Sequence, residues 1–170
     1  MKPLTPAQTA EARYQFTAAE IGIGQALERL TDAIDATAIL NQITGIKTTT
    51  TITALEEISE ALRKLDRGKF NYVRKQVNTL EEDRDSVEHA YETVATAGKW
   101  ITHASSYLWY AHSWLSFTPA HMLDDGPYED FEKLLNAVKQ RGRQLSTTSD
   151  NLASLRKKIT RQINEQENQE

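Results

Sequence analysis

The chain has 170 residues, 24 acidic and 20 basic, for a net charge of −4, and it has no cysteine. That length suits one domain able to bury about 70% of its unfolded surface without covalent staples. The missing cysteines exclude disulfides, thiol catalysis and Cys-type zinc sites, and the mild acidity implies no general attraction to nucleic acid.

The opening, Met1 to Phe16, lacks the apolar run of a cleavable signal. This fits a cytoplasmic protein, or one exported without a cleavable leader. The four prolines are Pro3, Pro6, Pro119 and Pro127, so nothing between Pro6 and Pro119 forbids helix. Thr5-Pro6-Ala7-Gln8 has the form of a capping box. Phe16, Ile23, Leu27, Leu30, Ile34, Ala38 and Asn41 keep three–four spacing to a stop at Gly45, with charged Glu20 in one slot of the stripe. The row Ala18, Gly22, Ala26 suggests close backbone packing, or a weak point at Gly22 and Gly24.

Lys47 to Thr53 is β-branched and stands alone, so it reads as a loop, with an intermolecular strand as the lesser alternative. A second capping box, Thr53-Ala54-Leu55-Glu56, predicts the next helix over 53–97, about 65 Å long at about 1.5 Å per residue. Its apolar seam runs through Leu55, Ile58, Leu62, Leu65 and Tyr72, then shifts by one position to Val73, Val77, Leu80, Val87, Tyr91 and Val94. The shift lies beside Gly68, so the helix either continues through a stutter or turns; the lack of loop residues favours continuity. The acidic run Glu81-Glu82-Asp83-Arg84-Asp85 reads as a solvated helix face.

Gly98 should end or kink that helix. Residues 99–117 then form an unusual one: Ile101 to Leu123 contains no Asp, Glu, Lys or Arg. Trp100, His103, Tyr107, Tyr110, Trp114 and Phe117 make one stripe, and Ile101, Ala104, Leu108, Ala111 and Leu115 make another beside it. Thr102, Ser105, Ser106, Trp109, His112, Ser113 and Ser116 complete the circumference. Such a helix suits enclosure by other helices, with serines bonded one turn back. The competing reading is a membrane-active segment, since Trp and Tyr favour the membrane interface. On the buried reading Trp114→Asp should unfold the protein while Trp109→Asp is tolerated, and protonation of His103 and His112 should favour release of the helix.

Residues 118–126 read as a connector. Pro127 opens the last helix, 127–164, along Phe131, Leu134, Leu135, Val138, Leu145, Leu152, Leu155, Ile159 and Ile163. Gly142 and Ser146 to Asp150 interrupt its seam, which predicts loose packing or a hinge. Its basic residues, Lys133, Lys139, Arg141, Arg143, Arg156, Lys157, Lys158 and Arg161, either pair with the acidic face of the preceding helices or meet an anionic surface.

The whole predicts an all-α protein: an elongated antiparallel bundle of four, or five, helices with coiled-coil-like packing. No Glu-x-x-His occurs anywhere, which removes the usual di-iron set, and there is no phosphate loop, nucleophile elbow or calcium loop. The expectation is therefore a protein that is not an enzyme and needs no cofactor or metal. It would act through protein contacts, first with copies of itself, through Trp100, Tyr107, Trp109, Tyr110, His112, Trp114 and Phe117, or through the basic face Arg141, Arg143, Arg156, Lys157, Lys158 and Arg161. The alternative is a membrane-active protein that presents 100–117 to lipid; on its long amphipathic helices and one charge-free segment it resembles the α-helical pore-forming toxins in general architecture. Nucleic acid is not expected as a partner, because no aromatics interleave the basic residues of the last helix.

Overall fold

The computed structural model describes residues 6–45, 47–80, 87–117 and 125–169, and among them every regular element is helical. The elements are α1 (Pro6–Thr44), α2 (Thr49–Leu65), a π-helical turn (Asp66–Phe70), α3 (Asn71–Asn78), α4 (Val87–Phe117) and α5 (Asp125–Glu167). Because α2, the π turn and α3 follow one another without a break, the architecture is a bundle of four rods. The capping residues Thr5, the acidic run 81–85 and the connector residues 118–124 lie outside the described residues, as does the side chain of Phe117.

Cross-contacts fix the directions. Glu88, Gly98, Thr102 and His112 of α4 meet Arg156, Leu145, Gly142 and Glu132 of α5, in reverse order along the two helices. Glu20 of α1 reaches Arg74 of α3, and Gly22 faces Val138 of α5. Neighbouring rods are thus antiparallel around the ring α1, α2/α3, α4, α5. At about 1.5 Å per residue the 43 residues of α5 extend about 64 Å.

The core of α1 alternates small and large side chains: Ala12, Phe16, Ala19, Ile23, Ala26, Leu30 and Ala33 are all buried. Large residues fill the space and alanines let the next helix close in. Phe16 meets Phe70 edge-on, with ring centroids 6.2 Å apart. The predicted stop is real: α1 ends at Thr44, and Gly45 takes φ +71°, with its N–H donating to the Asn41 carbonyl at 3.0 Å.

Gly22 and Gly24 have separate roles. A Cβ on Gly22 would lie 3.0 Å from Val138 Cγ2, whereas one on Gly24 meets nothing within 4 Å. Val138 is buried and β-branched, hence stiff in a helix. Gly24→Ala is therefore expected to stabilise the protein by about 0.5–1 kcal/mol. Gly22→Ala is expected to destabilise it by about 1–3 kcal/mol through overpacking. Urea midpoints of the two variants check this, and a stabilising Gly22→Ala would contradict the close α1–α5 approach.

Three expectations need correction. First, the helix opened by the 48–53 threonines begins at Thr49, not Thr53, and residues 49–53 are helical rather than loop. Thr48 is buried and its hydroxyl donates to the Thr37 carbonyl of α1 at 3.4 Å; docking on α1 overrides the weak helix propensity of threonine. Second, continuity through Gly68 holds, but the rod stops at Asn78 instead of running to Ala97. The Arg13 guanidinium donates to the carbonyls of Val77 and Leu80 there, satisfying groups that a helix end leaves open. The one-residue shift in the seam is taken up by the π turn, which admits one extra residue. In consequence Phe70 is buried, and Tyr72, expected on the seam, is 62% exposed.

Third, Gly98 does not end a helix: it lies inside the 31-residue α4. A Cβ there would stand 3.5 Å from Leu145 Cβ, and one on Gly142 would stand 3.4 Å from Thr102 Oγ1 and 3.5 Å from Ile101 Cγ2. A Cβ at either glycine would stand in van der Waals contact with the facing helix, so the expected looseness at Gly142 is absent. A surface groove remains beside them, edged by Lys99, Thr102, Ser146 and Ser149.

Candidate functional site

The predicted aromatic segment occupies the C-terminal half of α4. Its two stripes divide the labour differently from expectation. Ile101, Ala104, Leu108, Ala111 and Leu115 are the buried ones, all within 1% of full burial. The ring stripe sits on the shoulder: Trp100, Tyr107 and Trp114 are half-buried against the core, while His103 and Tyr110 are exposed. An aliphatic stripe packs more densely between four helices than broad rings carrying polar atoms that need partners.

The small polar side behaves as the sequence implied. Ser105 and Ser106 donate to the Thr102 carbonyl at 2.8 and 3.1 Å, Ser113 to Trp109 at 3.0 Å and Ser116 to His112 at 2.9 Å. These hydroxyls satisfy themselves on their own helix. The surface of α4 from Ile101 onward therefore carries no acidic or basic side chain, and its serines need no neighbour.

Trp109 is 48% exposed and Tyr110 is 54% exposed, and their rings meet edge-on with centroids 5.4 Å apart. Sequence spacing places them on different stripes; the structure joins them into one outward patch. His103 stacks between Trp100 and Tyr107, with centroids 5.7 and 5.0 Å away. Because His103 is exposed, it lacks the burial on which an acid-triggered release of this helix would depend. His112 is half-buried, with Nε2 3.8 Å from Glu132 Oε1 of α5.

The basic residues of α5 do not act as one face. Arg156 donates to Glu88 Oε1 at 3.0 Å and lies over the Tyr91 ring, the pairing with α4 that charge balance suggests. Arg141 donates to Gln15 and Gln144 and lies 5.1 Å over Tyr14 of α1. Arg143, Lys157, Lys158 and Arg161 are exposed.

Two arrangements lie outside the sequence reading. Glu20, noted only as a charged gap in the α1 stripe, accepts from Arg74 Nε at 2.7 Å, and Arg74 also reaches Asp66 Oδ1 at 3.0 Å. Burial pushes the Glu20 carboxyl above its ordinary value of 4.5, and the hydrogen bond and charge of Arg74 oppose that rise only in part. The same hydrogen bond raises Arg74 further. Glu20 Oε1 has no partner among the described residues. A charged residue in the middle of an apolar stripe was the available signal.

The second arrangement is where the same rod meets α4. Lys69, from the π turn, and Lys99, from α4, both place their ammonium nitrogens over the Trp100 ring, 5.3 and 5.2 Å from its centroid. Thirty residues separate the two lysines, so only the docking of α3 beside α4 reveals their meeting.

Among the described residues no group of three or more His, Asp or Glu side chains is placed to hold a metal ion, and no helix is long and apolar enough to cross a membrane. Comparison with protein-family models, with curated proteins and with solved structures finds no match.

Proposed function

We propose that this is a non-enzymatic helical-bundle protein that works through helix-mediated protein contacts, first of all with copies of itself. The observation that carries the reading is the Trp109–Tyr110 pair, two rings in edge-on contact held outward on a helix whose neighbouring serines are satisfied by its own backbone. Tryptophan and tyrosine supply much of the binding energy of protein interfaces, and a ring pair fixed on a rigid helix loses little freedom on docking. Tyr14, Ile21, Ile39 and Ile43 on α1 are further exposed apolar groups available to an assembly.

The test is solution mass. Light scattering across a dilution series is expected to give a mass above the 19.2 kDa of one chain, falling toward it on dilution. The double variant Trp109→Ser/Tyr110→Ser should shift that transition to at least about tenfold higher concentration, as loss of one hot-spot contact does. A wild-type monomer at every concentration would overturn self-association. The membrane-active alternative makes a different prediction: flotation with phosphatidylcholine vesicles that the same double variant abolishes.

A further inference from the structure

We infer that Lys69, Lys99 and Trp100 form a binding site for a phosphate-type oxyanion on the α3–α4 face. This goes beyond the assembly reading and does not use the Trp109–Tyr110 pair. The site is composed by the fold from two separate rods. Trp100 is half-buried and packed against the core, so its ring is a fixed platform. The two ammonium groups that converge on it arrive from the π turn and from α4.

Charge is what makes the convergence informative. Like charges gathered on one ring repel, and here no carboxylate among the described residues stands in ion-pair contact with either lysine. The nearby acids are engaged or distant. Asp66 and Glu20 are held by Arg74. Glu92 is seven positions from Lys99 on the same helix, about 10 Å along the axis. The stretch 63–75 also carries Arg63, Lys64, Arg67 and Lys75, with Asp66 its one acid, so this part of the rod is rich in basic residues.

An indole face holds an exposed ammonium only weakly, so a ligand can take both lysines from it at little cost. A dianionic phosphate group offers several acceptor oxygens and can receive from both, relieving their repulsion in the same step. His103, exposed and stacked edge-on against Trp100, borders the same ring and can donate a further hydrogen bond. On the other side, Gly68 leaves open space beside Lys69, with nothing within 4 Å of where a Cβ would stand. The phosphate could be free or carried by a lipid headgroup; the chemistry recognised is the same.

Calorimetric titration of the full chain with sodium phosphate, at ionic strength matched by sodium chloride, tests the free form. Sedimentation with phosphatidylcholine vesicles with and without phosphatidic acid tests the lipid form. Saturable binding in either experiment is expected, accompanied by a change in tryptophan emission. Lys69→Gln and Lys99→Gln should each weaken it by roughly tenfold, as loss of a charge-assisted hydrogen bond does. Both lysines are exposed, so circular dichroism should show these variants folded. Lys157→Gln, the same charge change on α5, should leave binding unaltered. Response to phosphate alone identifies a soluble ligand, and response to phosphatidic acid vesicles alone identifies a headgroup. No binding in either experiment, or equal loss in the α5 control, overturns the site. Neither result depends on the oligomeric state, so this inference and the assembly reading fail separately.

Discussion

Leu108→Asp is expected to abolish the folded bundle, while Trp109→Asp, one residue away, leaves it standing. Leu108 is fully buried in the aliphatic stripe of α4, a helix that contacts all three other rods. An aspartate there would bury a carboxylate without a partner, a cost comparable to the whole stability of about 5–15 kcal/mol of such a domain. Even Leu108→Ala should cost about 2–5 kcal/mol from lost transfer energy and the cavity left behind. Trp109 has nearly half its surface in water already, so an aspartate at that position should cost no more than about 1 kcal/mol.

Trp114→Asp belongs between these two. Trp114 is half-buried and packed on the core rather than inside it, so the full unfolding expected from sequence is reduced to a large destabilisation. Urea denaturation followed by circular dichroism ranks the three. If Leu108→Asp and Trp109→Asp unfolded at the same urea concentration, the assignment of the α4 faces would be wrong.

Arg74→Gln is the second large effect, and it should depend on pH. Removing Arg74 leaves the Glu20 carboxylate buried beside the α1 stripe with no cation. Breaking a fully buried pair costs about 3–5 kcal/mol; because this one reaches solvent, about 2 kcal/mol is expected near neutral pH. The direction of the pH dependence follows from the raised Glu20 carboxyl. The folded protein retains that proton at pH values where the unfolded chain has lost it. The stability this group contributes is therefore complete below pH 4.5 and is lost as pH rises through the raised folded value.

Without Arg74 nothing opposes the effect of burial, so the carboxyl should rise further and protonate sooner on acidification. The deficit of Arg74→Gln relative to wild type should accordingly be greatest near neutrality and shrink as the pH falls toward 4.5. Glu20→Gln in the Arg74→Gln background should recover much of the loss at neutral pH, since it removes the stranded charge. Urea midpoints at the two pH values measure both expectations. A deficit independent of pH would mean that Arg74 acts through packing alone.

Much of this architecture is legible in the order of the amino acids. Absence of proline from 7 to 118 and a three–four apolar rhythm suffice for long helices. Gly45 marks the end of α1 because only a residue without Cβ takes its positive φ at no cost. The one-position slip beside Gly68 is the imprint of an extra residue in a continuing helix, which the π turn provides. Serines that bond their own backbone allow α4 to lack Asp, Glu, Lys and Arg from Ile101 onward, and that too follows from local chemistry.

Periodicity says which residues share a face, but not where the neighbouring helices stand. That is why the ring stripe of α4 and its aliphatic stripe could not be ranked until α2 and α5 were in place, and why Gly98 and Gly142 read as breaks when they are points where α4 and α5 pack against each other. The same holds for Thr49 to Thr53, whose poor helix propensity is outweighed by docking on α1, and for Glu20, whose partner lies 54 positions away. Local backbone preference and side-chain rhythm belong to the chain itself. Burial, and the electrostatics that burial amplifies, come into being only when distant segments exclude water from one another, so the core, the Glu20–Arg74 pair and the two lysines on Trp100 were decided by the tertiary structure.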